Sequence, residues 1–65
     1  MNLSYQVEYK HLIDGEWYTE QCANNHFVNF KEAWQAANAY CDHPFRKALI
    51  IEKKEHIVDE ILGEF

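Results

Sequence analysis

LSYQVEYKHLIDGEWYTEQC, residues 3–22, is the stretch on which the fold turns. Leu3, Tyr5, Val7, Tyr9, His11 and Ile13 alternate with Ser4, Gln6, Glu8 and Lys10, the period of two expected of a strand with one buried face. Asp14-Gly15 then offers the two positive-φ positions of a type I′ turn, and EWYTEQC returns as a second strand. A two-residue turn sets Ile13 opposite Glu16, Leu12 opposite Trp17, His11 opposite Tyr18, Tyr9 opposite Glu20 and Val7 opposite Cys22. Tyr18 and Cys22 then share the apolar face, whereas Leu12 and Trp17 lie on the other face beside Lys10 and Thr19. A three-residue turn would exchange the faces of the second strand, so the register that buries Cys22 rather than Gln21 is preferred, although it aims Glu20 at the core.

Downstream, Asn24-Asn25-His26 breaks the alternation and NFKEAWQAANAYCD, residues 29–42, takes up helical spacing. Asn29 suits the N-cap, Glu32 stands three residues later, and Asp42-His43-Pro44 stops the helix. Phe30, Ala33, Trp34, Ala37, Tyr40 and Cys41 form its apolar stripe, and the alanines at 36, 37 and 39 allow close approach to a sheet. FRKALIIEKK reads as a third strand, with Ala48 to Ile51 apolar on both faces. The tail EHIVDEILGEF fits a helix through Ile57, Val58, Ile61 and Leu62. Its β-branched content and the charged turn before it favour a fourth strand. The expected fold is α+β, a ββαβ(β) antiparallel sheet with one helix packed on one face and the first strand central.

Sixty-five residues make one small domain, near the lower limit for a core without disulfide, metal or partner. The chain is 48% hydrophobic and 15% aromatic, with two glycines and one proline, which excludes disorder. A net charge of −5 is the wrong sign for direct nucleic-acid binding through phosphate contacts. No apolar run is long enough for a membrane span, and MNLSYQVEYK lacks the order of a signal peptide, so a cytoplasmic protein is expected. In that compartment Cys22 and Cys41 read as reduced, buried hydrophobes.

Among chemical constellations, Cys22-x3-His26 with Cys41-x-His43 supplies four potential zinc ligands, at a spacing that matches no familiar finger. The expectation is that these are core cysteines and surface histidines, with no metal and no cofactor. Neither a Gly-rich phosphate loop nor a carboxylate pair at recognisable spacing is present. A chain this short can scarcely enclose a ligand pocket of roughly 300 Å³ beside its core, which argues against an enzyme. Trp17 is the unexplained residue. With one helix over one sheet face, Leu12 and Trp17, joined by Ala48 and Ile50, would form an apolar patch among Glu8, Lys10 and Thr19, typical of an interface anchor. Trp17 could equally fold over the sheet edge. Arg46 and Lys47, with Lys53 and Lys54, add a local basic cluster suited to an acidic protein surface, or simply a solvated strand end.

HFVNFKEAWQAANAYCDHPFRKALII, residues 26–51, resembles a segment of small phage inhibitors of host RNA polymerase: strand, turn, Glu-Ala helix start and basic strand follow in that order. RKALIIEKKEHIVDE, residues 46–60, is similar to the end of phage antitoxins that neutralise a host endoribonuclease toxin. Such a resemblance implies a cytosolic, non-enzymatic antagonist that occludes a bacterial protein. In the polymerase inhibitors, arginines on the last strand carry much of the binding, and only Arg46 and Lys47 lie in the corresponding region. The partner-binding set expected here is thus Lys10, Leu12, Trp17, Thr19, Arg46 and Lys47. A mimic of nucleic acid built from surface carboxylates, a zinc-stabilised module, and a homodimer closed through the bare sheet face or an edge strand are the other readings.

Overall fold

The computed structural model describes residues 4–20, 24–52 and 56–64. The elements run β1 (Tyr5–Ile13), β2 (Glu16–Glu20), β3 (His26–Phe27), α1 (Phe30–Tyr40), β4 (Arg46–Glu52) and β5 (His56–Leu62). All strand pairs are antiparallel in one five-stranded sheet of order β2-β1-β4-β5, with β3 also on β1. The helix packs against one face, giving the α+β architecture that the alternation and helical spacing imply.

The first hairpin has the two-residue register, Ile13 opposite Glu16 through Tyr9 opposite Glu20. Asp14 (φ 51°) and Gly15 (φ 81°) supply its two left-handed positions, which fits the right-handed twist of the flanking strands. The place opposite Val7 expected for Cys22 is taken by Asn25, a correction to the hairpin register beyond Glu20, and Cys22 itself lies outside the described residues. Beyond them the chain returns to β1 as β3, a strand the sequence pattern does not announce: β1 moves three positions from Tyr9 to Gln6 while the opposing chain moves six from Glu20 to His26. Val7 donates its N–H to the Asn25 carbonyl (2.9 Å), and Phe27 is buried beneath α1.

Asn29 caps α1 as expected, its Oδ1 accepting the Glu32 N–H at 2.9 Å. The helix presents Ala33, Ala37 and Cys41 to Val7, Tyr9, Phe27, Ala48 and Ile50, and these residues are the core. Fully burying Val7 and Ile50 contributes about 1.5–3 kcal/mol each. Phe30 and Trp34, expected in the buried stripe, lie on its flank, and Trp34 is 42% exposed. The reason is geometric: alanines take the centre of the contact, the helix settles close to the sheet, and bulkier neighbours are left at its rim. Phe30 still meets Tyr5 edge-on, ring centroids 6.0 Å apart.

The tail is a strand, β5, beside β4, with a bulge between the Ile50 and Ile51 pairings. The turn expected before it includes residues 53–55, among them Lys53 and Lys54, which lie outside the described residues. After β5, Gly63 donates its N–H to Arg46 O (2.9 Å), where a Cβ would come within 1.8 Å of His43 O. A side chain there would push the tail off the 43–46 turn. Gly63→Ala is therefore expected to cost ~2 kcal/mol or more, roughly a 10 °C fall in Tm for a domain this small. Asn29→Ala should cost about 1 kcal/mol. Thermal unfolding followed by circular dichroism compares them; equal losses would mean that the Gly63 contact is not a structural constraint.

Candidate functional site

Pairing register sorts every strand residue onto one of two faces. Tyr9 pairs with Ala48 and Val7 with Ile50, so Ala48 and Ile50 face the helix and are fully buried. This corrects the expectation that they join the patch around Trp17. Leu49 and Ile51 occupy those outer positions instead, opposite Glu8 and Gln6. The cue available in the sequence was Ala48 itself, since a small residue under an alanine-faced helix permits the closest packing. Across β4, Leu62 stands opposite Lys47 and Ile57 opposite Ile51, at 60% and 62% exposure.

The outer face thus brings together five of the six expected partner-binding residues. Leu12 lies opposite Trp17, Thr19 opposite Lys10, and Lys10 opposite Lys47. Lys10 donates to Thr19 Oγ1 at 3.0 Å and approaches Glu8 at 3.9 Å. Lys47 reaches across β1, placing Nζ 4.4 Å from the Trp17 ring centroid and 3.7 Å from Glu60 Oε2. Both lysine side chains are only about one-fifth exposed, 21% for Lys10 and 19% for Lys47. The cation–π contact contributes ~0.5–1 kcal/mol at a partly exposed site, and the half-exposed ion pair about as much or less. Trp17 is therefore held in position on this face by Lys47 while remaining 37% exposed.

Arg46 is not part of that face. Its register partner is His11, on the helix side. The guanidinium lies 5.0 Å from the centroid of the Tyr40 ring and 3.2 Å from Asp42 Oδ1. Around it, the Tyr40 hydroxyl donates to Glu20, and His11 stacks on Tyr18 with ring centroids 6.1 Å apart. His11 Nδ1 is buried 3.9 Å from Glu20 Oε2, beyond hydrogen-bond reach. The inward Glu20 that the hairpin register implies thus finds a phenol partner, and the cluster ties the end of α1 to the hairpin.

The potential zinc ligands are dispersed. Cys22 lies outside the described residues. His26 is exposed on β3 opposite Gln6, near the start of α1, whereas Cys41 and His43 follow its end, and eleven helical residues separate the two ends by roughly 16 Å. The Cys41 thiol donates to the Ile61 carbonyl at 3.3 Å, and His43 Nδ1 accepts the Phe45 N–H at 3.1 Å. Among the described residues no three His, Cys, Asp or Glu side chains converge on a common centre. No helix among them is long and apolar enough to cross a membrane. No protein-family model, curated protein or solved structure matches the chain.

Burial pushes the Cys41 thiol above its ordinary value of 9.0; nearby Arg46 opposes this and Asp42 reinforces it. A folded pKa above the unfolded one means that the associated stability is complete below pH 9 and is lost as pH rises through the raised value. Because Cys41 is buried and its thiolate disfavoured, thiol labelling at pH 8 should be slower for Cys41 in the native chain than in urea, and a Cys41→Ser variant should lose the thiol's share of the alkaline destabilisation. Equal labelling rates in the two states would show that the thiol is not protected by the fold.

Proposed function

We infer that the protein is a non-enzymatic protein-binding module that acts as an inhibitor or regulator by covering part of a bacterial protein. The observation carrying this reading is the outer sheet face, where Trp17, Leu12, Leu49, Ile51 and Leu62 share one side and α1 packs on the other. A partly exposed indole contacted by Lys47 on a face with apolar residues, lysines and carboxylates has the composition of an interface centre with a polar rim. Pre-positioning by Lys47 reduces the ordering cost of binding.

Charge distribution favours this over a nucleic-acid mimic. Glu8 and Glu60 on the outer face lie beside Lys10 and Lys47, whereas Glu20, Glu52 and Asp59 belong to the helix side. A phosphate-like row would need carboxylates of one face in unbroken succession. The resemblance of residues 26–51 and 46–60 to phage antagonists supports a bacterial partner and a cytoplasmic setting. Affinity capture from bacterial lysate with wild type and Trp17→Ala in parallel tests the reading. A specific partner should be retained by wild type and weakened ~30-fold or more by loss of the indole, as for an interface hot spot of ~2 kcal/mol. Equal recovery by both proteins would remove Trp17 as the anchor.

A further inference from the structure

The sheet has two lateral edges, and they are built differently. On β5 the strand carries the bulge, and the Gly63 N–H bond to Arg46 fixes the phase of its backbone. Alternation then aims the Glu60 and Leu62 backbone groups away from β4. The outward Glu60 N–H is already taken, donating to Asp59 Oδ1 at 2.9 Å. A bulge and a side-chain cap are devices that blunt an edge against further strands.

Among the described residues, β2 itself carries neither over Glu16–Glu20; the irregularity on that side of β1 falls between Glu20 and His26. Leu12 donates its N–H to Phe45 on the β4 side, and Val7 donates to Asn25 on the other side. Odd residues of β1 therefore face β2 and β3, so Tyr18 and Glu20, opposite His11 and Tyr9, aim their backbone groups inward. Trp17 and Thr19 aim theirs out of the sheet. The strand is regular over Glu16–Glu20, and all five of its residues are exposed. Its helix-side row is Glu16, Tyr18, Glu20. Those carboxylates accept from the Tyr18 and Tyr40 hydroxyls, and among the described residues neither is paired with a lysine or arginine.

We propose that the β2 edge receives an extended basic segment of a partner protein as an added strand, hydrogen-bonded to the Trp17 and Thr19 backbone, with alternate Lys or Arg side chains opposite Glu16 and Glu20. This rests on the protein-binding reading and names the chemistry of its partner. Main-chain bonds supply affinity and the alternating side chains supply selectivity. On the outer face the same segment sets its intervening apolar residues beside Trp17. Charge disfavours a second copy as the occupant: an antiparallel β2 pair centred on Tyr18 places Glu16 of each chain opposite Glu20 of the other, between bodies of net charge −5.

The test uses the ¹⁵N-labelled full chain with two capped octapeptides, alternating Lys-Val and alternating Glu-Val. The Lys-Val peptide should shift the Trp17 and Thr19 amides and slow their hydrogen exchange at least tenfold at saturation, while the Glu-Val peptide leaves them unchanged. Glu16→Gln with Glu20→Gln should weaken the Lys-Val complex at least tenfold. Shifts confined to outer-face residues such as Leu49 and Leu62, with Trp17 and Thr19 amides exchanging at the free rate, would overturn the edge proposal and leave the outer-face reading intact. Equal response to both peptides, no response to either, or concentration-dependent protection of the same amides without peptide would overturn it too.

Discussion

The strict alternation of β1 between its two neighbours is the constraint on which the rest of the structure depends. Every second residue, Tyr5, Val7 and Tyr9, looks toward α1, and the pairings Val7–Ile50 and Tyr9–Ala48 extend that choice into β4. A shift of one position in either register would turn the buried set out to solvent. The helix reinforces the choice, because Ala33 and Ala37 are buried in one core with Val7, Tyr9, Phe27, Ala48 and Ile50. Small core, close helix and sharply distinguished faces are thus one arrangement seen from three sides.

Trp17 follows from the same constraint. With Tyr18 committed to the helix side by its pairing with His11, its neighbour must face outward. There it meets Leu12 across the hairpin and the ammonium of Lys47 from beyond β1. The indole serves no role in the core, yet it is held in place. The proposed interface combines this face with the adjacent β2 edge, where an aromatic ring on the outer face and two exposed carboxylates on the helix side occur within five consecutive residues.

Much of this was legible in the chain. Alternation in residues 3–13 and the Asp-Gly pair specified the hairpin and its five described pairings; Asn29 with Glu32 marked the helix start; β-branched residues in the tail marked β5. The phase of β4 was not legible, because Ala48, Leu49, Ile50 and Ile51 are all apolar and period alone assigns no face to such a run. Neither was β3, whose two residues, His26 and Phe27, are strand only by virtue of bonding to β1. Trp34 is more exposed than its place in the apolar stripe implies, since a helical stripe gives the apolar side but not how closely its centre approaches the sheet. Gly63 gave no local signal, its contact with His43 being twenty residues distant in the chain.

By itself, then, the sequence determined what local chemistry can encode: the turn that needs two left-handed residues, the capped helix, the periods of the strands, and an acidic chain with an indole where a hairpin turns outward. Only the tertiary structure decided which of two apolar rows in β4 lines the core, that Arg46 and Lys47 part to opposite faces, and that β5 carries a bulge and a side-chain cap while β2 runs regular and exposed over Glu16–Glu20. The physical reason is that local preferences depend on a residue and its near neighbours, whereas faces and edges are properties of strands brought together from distant parts of the chain. Register across β1 and β4, fixed by close packing under α1, supplies that missing relation.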